Sequence, residues 1–155
     1  GIDVAVVSEA ARTQQTLAAL RSAGLAVARV WEEASLYSRG GEGLLDTLRG
    51  LDRCGIEGAV READDVEAGF EADAVLVIGH EPTMSTLAGL LATREKDLHE
   101  SQGRAPFRAL RGAGATRADH SFRYGFSTAM AVVGHVESWS SLAPGCMRIA
   151  DVLRP

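Results

Sequence analysis

Two apolar runs in this chain each stop at a polar residue and enter a helix almost at once, and they constrain its fold most. "IDVAVV" (Ile2 to Val7) is followed by Ser8 and then "EAARTQQTLAALRSA". "AVLVIG" (Ala74 to Gly79) is followed by His80, Glu81 and Pro82, and then by a second helical pattern. Neither run alternates apolar with polar residues, so each reads as a strand covered on both faces. Buried strands that feed helices build α/β folds, in which a mostly parallel sheet is packed between helices.

The rest of the chain is consistent with that frame. Ser8 is placed to cap the first helix, and Gly24 stops it as a C′ residue. "LAVARVW" (Leu25 to Trp31) is a second strand candidate. A helix from about Glu42 to Arg53 carries Leu44, Leu45, Leu48 and Leu51 on one stripe. Pro82 suits a first helical position, and Met84, Leu87, Leu90 and Leu91 line the helix that follows, to about Thr93. "TAMAVVGH" (Thr128 to His135) and "MRIADVL" (Met147 to Leu153) are two late strands with a short link, which predicts an antiparallel pair. The expected fold class is α/β: a three-layer α/β/α sandwich with a mostly parallel sheet and a C-terminal antiparallel hairpin. One domain covering residues 1–155 accounts for the length.

Two segments break the pattern. Glu57 to Asp73 holds seven carboxylates against Arg61 and reads as a solvated helix or loop rather than a metal site. Between Gly103 and Arg123, Arg104, Arg108, Arg111, Arg117 and Arg123 stand against Asp119 alone, in a stretch with weak periodicity. A loop of that length is either functional or mobile.

Composition excludes some partners. The formal net charge of −5 does not favour a nucleic-acid binder. No apolar run approaches the roughly 20 residues that span a bilayer, so no membrane partner is expected. The opening residues read as a strand rather than a signal peptide. Cys54 and Cys146 have neither metal-ligand nor CxxC spacing and read as reduced structural thiols, which points to the cytoplasm.

The ends of the two apolar runs are where chemistry is expected. In open α/β sheets, ligands gather beyond the carboxyl ends of the strands, and helix N-termini there favour anions. One helix end contributes only about 0.3–1 kcal/mol, so holding a phosphoryl group needs added cationic groups. Arg12 lies in the first turn of one helix and His80 at the end of the other strand. If the strands are neighbours, both side chains can reach one anion. Taken singly, Arg12 reads as a surface arginine and His80 as a hydrogen-bonded structural histidine.

"SEAARTQQT" (Ser8 to Thr16) is similar to the S-x-x-x-R-x-x-Q-T element of the histidine phosphatase, or phosphoglycerate mutase-like, superfamily. "VIGHEPTMSTLA" (Val77 to Ala88) resembles its second-histidine motif, in the form found in SixA-type phosphohistidine phosphatases. "LYSRGGEGLLDTLRGL", "FSTAMAVV", "SWSSLAPG" and "RIADVLRP" resemble further segments of that family. The resemblance implies a phosphatase acting through a phosphohistidine intermediate, with phosphohistidine in proteins as the first substrate class. It implies Arg12 and His80 as catalytic and phosphate-binding residues. Ser8 and Glu81 match motif positions and are candidate substrate-binding residues. Ser8 and Thr16 are assigned helix capping and packing first. No cofactor and no metal is implied. The partner is a phosphorylated protein or a small phosphoester, and a signalling role accompanies the resemblance.

The family opens with a strand ending in "RH", whose histidine is the nucleophile. This chain has no "RH" dipeptide, so the resemblance implies a domain without its N-terminal strand and helix. Three explanations follow: the strand lies upstream of Gly1, it comes from another chain or domain, or the protein is a non-catalytic phosphate-binding relative. A broad phosphomonoesterase, with the arginines of residues 104–123 contacting the substrate, is a further alternative. Glu32, Glu33 and Glu42 are candidate general acids only by their place near a loop. His135 is expected at a hairpin surface, and His99 and His120 flank the basic stretch.

Overall fold

A computed structural model describes residues 1–36, 38–52, 72–93 and 121–155. Most of the acidic stretch, the basic stretch up to residue 120, Cys54, His99 and His120 lie outside the described residues.

The first apolar run forms β1 (Ile2–Val7), followed by α1 (Ala11–Ser22), β2 (Val27–Glu32), α2 (Gly40–Arg49), β3 (Val75–Ile78), α3 (Thr83–Leu91), β4 (Ala131–His135) and β5 (Arg148–Leu153). β1 is the middle strand of a parallel sheet ordered β2-β1-β3. Its side chains explain the apolar run from Val4 to Val7. Val4 and Val6 face one core, with Leu44, Leu45 and Leu48 of α2 and Leu87 and Leu91 of α3. Ala5 and Val7 face a second, with Leu17 of α1. All four β1 residues are fully buried. Each such valine contributes about 1.5–3 kcal/mol as an upper estimate. The sheet therefore lies between α1 on one side and α2 and α3 on the other.

The leucine stripe of α2 is buried as its spacing predicts. Leu51 extends the stripe from a 3-10 turn at Gly50–Asp52, so the helical run is two elements rather than one. Gly41 sets how closely α2 approaches α3: a Cβ there would lie 2.9 Å from the Leu87 backbone nitrogen and 2.9 Å from the Thr86 methyl.

β4 and β5 are antiparallel, as the sequence predicts, but form a separate two-stranded sheet. β4 starts later than expected, because a turn with Met130 N–H donating to Ser127 O and Ala129 at φ 61° occupies the preceding residues. The pair is tied to the end of α3. Met147 N–H donates to Leu91 O at 2.7 Å, Thr93 N–H to Met147 O at 2.9 Å, and Gly145 N–H to Leu90 O at 2.9 Å. Ala88, Ala92 and the buried Phe122 pack there with Val132, Ile149 and Val152. Trp139 spans back, its indole N–H donating to Ala72 O. Among the described residues β3 and β4 are each paired along one edge.

α1 ends as its sequence predicts. Gly24 takes φ 98°, Gly24 N–H donates to Arg21 O, and Leu25 N–H reaches Leu20 O, the paired bonds of a Schellman motif. Its start differs. The N-cap is Ala10, with no side-chain cap, and the helix begins at Ala11. Ser8 stands too early to cap, because a capping hydroxyl must reach N–H groups two or three residues further on. Its side-chain oxygen accepts from the N–H of Ala10, the N-cap itself, at 3.4 Å. Pro82 is likewise the N-cap of α3 rather than its first helical residue.

Candidate anion site at the carboxyl ends of two parallel strands

Strand register assembles the site. Val7 of β1 pairs with Ile78 of β3, and Ser8 N–H continues the ladder to Ile78 O at 3.1 Å. Ser8 and the Gly79–His80 pair therefore leave the sheet side by side. α1 then carries Arg12 back over that edge. Arg12 Nε donates to His80 Nδ1 at 2.9 Å, and His80 Nε2 lies 2.8 Å from Ser8 Oγ.

The scaffold under these groups is polar and local. Ser8 O accepts from Thr13 Oγ1 at 2.8 Å and from Gln14 Nε2 at 3.1 Å. Those bonds occupy the Ser8 carbonyl and hold the first turn of α1 against the end of β1. Thr16 Oγ1 donates to the carbonyl of Arg12 itself at 2.9 Å. Thr16 is exposed within α1 and neither caps the helix nor packs in the core, contrary to the role expected of it.

His80 is 8% exposed, while Arg12 is exposed. Burial first, and the Arg12 charge second, push the His80 pKa below its ordinary value. Geometry points the same way. A guanidinium can only donate, so Nδ1 must present a lone pair, and a neutral ring then carries its proton on Nε2. That proton goes to Ser8 Oγ, whose own hydrogen is left to donate elsewhere. The order of donation is Arg12 to His80 to Ser8. A serine hydroxyl activated by a basic histidine needs the opposite direction, so this pair is not wired for acyl transfer by Ser8.

Glu81 points to its own helix. Its carboxylate accepts from Ser85 N–H at 3.2 Å and from Ser85 Oγ at 2.6 Å, which satisfies the first turn of α3. Glu32 ends β2 in register with Val7, Glu42 lies in the first turn of α2, and Glu33 donates its N–H to Val7 O at 2.9 Å. His135 ends β4 and is exposed. Among the described residues no three His, Cys, Asp or Glu side chains gather into a metal-binding group. Cys146 is a half-buried free thiol. No described helix is long and apolar enough to cross a membrane.

Sequence reasoning brought Arg12 and His80 to one place, but it did not find the bond between Ser8 and His80. That bond follows from register across 72 residues of sequence, which composition and periodicity do not carry.

The fold is α/β, with a permanent cation and an imidazole in contact at the carboxyl ends of adjacent parallel strands. Among solved structures the chain is similar to one assigned as the phosphohistidine phosphatase SixA of Nakamurella multipartitia, with a TM-score of 0.63 and 24% identity, over 99% of this chain and 71% of that one. The likeness is one of fold. No protein-family model matches the chain, and no curated protein does.

Proposed function

We propose that this chain forms most of a phosphatase domain that works through a phosphohistidine intermediate, with phosphohistidine in proteins as its substrate. The observation that carries the reading is the 2.9 Å contact of Arg12 with His80 at the ends of two adjacent parallel strands. The fold likeness to a protein assigned as a phosphohistidine phosphatase supports it. In this reading the nucleophilic histidine belongs to a strand upstream of Gly1. The singly paired edges of β3 and β4 suit the addition of such a strand.

The chemistry asked of these residues is electrostatic. The incoming nucleophile, a ring nitrogen of the upstream histidine, forms a bond to phosphorus as the substrate's P–N bond breaks. The departing imidazole takes a proton from solvent. Water then cleaves the enzyme's own P–N bond and releases inorganic phosphate. Charge builds on the equatorial oxygens of the transferring group. Arg12 presents its planar fork to those oxygens, and His80 supplies a further donor beside it. An imidazole, with reference pKa near 6.5, leaves more readily than an alkoxide, so a strong general acid is less necessary. The reading calls for neither metal nor cofactor. Glu81 serves the site indirectly, by fixing the start of α3 next to His80.

In the full-length protein, Arg12→Ala and His80→Ala should each lower turnover of phosphohistidine on the order of 10²-fold, as loss of one oxyanion donor does. Wild-type rates in both variants would refute the assignment.

A second reading is a module that binds phosphorylated protein or a small phosphoester without turning it over. The bonding of His80 favours it for this chain alone: Nδ1 accepts from Arg12 and Nε2 meets Ser8, which leaves the ring poorly set to act as nucleophile. Phosphate binding by calorimetry, with no hydrolysis in a full-length sample, would select this reading.

A further inference from the structure

We infer that the site takes up its dianionic ligand together with one proton, which lands on Nδ1 of His80 as Arg12 turns its Nε from the ring to the anion. The inference rests on the reading of Arg12 and His80 as an anion site and adds the protonation change that binding requires.

In the described structure the two groups satisfy each other. Arg12 Nε points at His80 Nδ1, so the ring faces the anion position with a lone pair, and a lone pair repels a phosphoryl oxygen. His80 becomes a donor there only by gaining a proton at Nδ1, and that proton competes for the place now held by the Arg12 Nε–H. The imidazolium and the guanidinium then repel each other. A dianion between them reverses the sign of that interaction and stabilises both charges. Ser8 stays in place through the exchange, because Nε2–H donates to its oxygen in either state of the ring. It is thereby a positioning residue, holding the ring plane while the other nitrogen changes from acceptor to donor.

The charged and titratable groups that α1, β1 and α3 bring to His80 agree with this assignment. From α1 comes Arg12, whose charge adds to burial in lowering the ring's proton affinity. The end of β1 contributes Ser8, which does not titrate near neutrality. The start of α3 contributes Glu81, whose carboxylate is turned onto Ser85. The Gly1 amine lies at the opposite end of β1, and His135 lies exposed on β4.

The sign follows from linkage. A ring with higher proton affinity in the bound state than in the free state makes affinity rise as pH falls between the two values, by up to about tenfold per pH unit. The probe is sulfate, which keeps both charges throughout that window. Calorimetry of sulfate binding to the full-length protein, near pH 7 in buffers of different ionisation enthalpy, should report uptake close to one proton. His80→Asn should abolish the uptake. Nitrogen NMR of the wild-type protein, which does not depend on any variant folding, should show His80 as the Nε2–H tautomer before sulfate and as the imidazolium after it. Sulfate binding without proton uptake, unchanged uptake in His80→Asn, or an Nδ1–H ring in the free protein would overturn this inference alone. No sulfate binding at all would remove the anion-site reading and this inference with it.

Discussion

A guanidinium donates and never accepts, and that property sets the state of His80. Burial favours the neutral ring in the folded protein, and Arg12, with its Nε 2.9 Å from Nδ1, adds to the preference. The unfolded chain has no such bias, so its histidine protonates near 6.5. The folded pKa is the lower of the two. The stabilisation is therefore complete above about pH 6.5 and is lost as pH falls through the folded value. Urea unfolding midpoints measured across that range should fall more steeply for the wild-type protein than for His80→Asn. Equal pH dependence in the two would mean that His80 has no depressed pKa. The pair itself was legible in the sequence, since Arg12 and His80 occupy matching places after two similar strands. Its protonation was not, because that depends on which ring nitrogen faces the guanidinium. Ser8 was misread as a cap for a related reason: the sequence does not reveal that the chain runs two residues further before α1 begins.

At the scale of elements, α2 and α3 meet through Gly41, where an added Cβ would press on the Leu87 backbone nitrogen as well as on the Thr86 side chain. Gly41→Ala should cost about 1–3 kcal/mol through overpacking, despite the better helix propensity of alanine. For a chain of this size each kcal/mol lowers the melting temperature by about 2–4 °C, which calorimetric melting resolves. A variant as stable as the wild type would show that the helices separate at little cost. Gly24→Ala should also destabilise, by about 1–2 kcal/mol, because the Schellman turn holds φ at 98°. Denaturant midpoints check it, and no loss would mean that the turn finds another geometry. Gly24 was legible because a glycine after an apolar helical stripe is a stop signal. Gly41 was not, since nothing in "SRGGEG" reveals which helix lies against it.

Among the described residues, two sheets are tied together through α3. β1, apolar at every position but Asp3, lies at the centre of one, and the burial of Val4 to Val7 on both faces made that strand the easiest element to read. The hairpin was legible as a pair, but its separation from the parallel sheet was not: β3 and β4 are both short, apolar and well formed, and only long-range pairing distinguishes neighbours from non-neighbours. The proposed anion site lies where the parallel sheet gives way to helices, so its integrity depends on β1 and β3 remaining in register. A crystal structure of the full-length protein with bound tungstate would test that arrangement directly. The result expected is an anomalous peak within hydrogen-bonding distance of both the Arg12 guanidinium and the His80 imidazole. Tungstate bound elsewhere, with those two side chains apart, would contradict it.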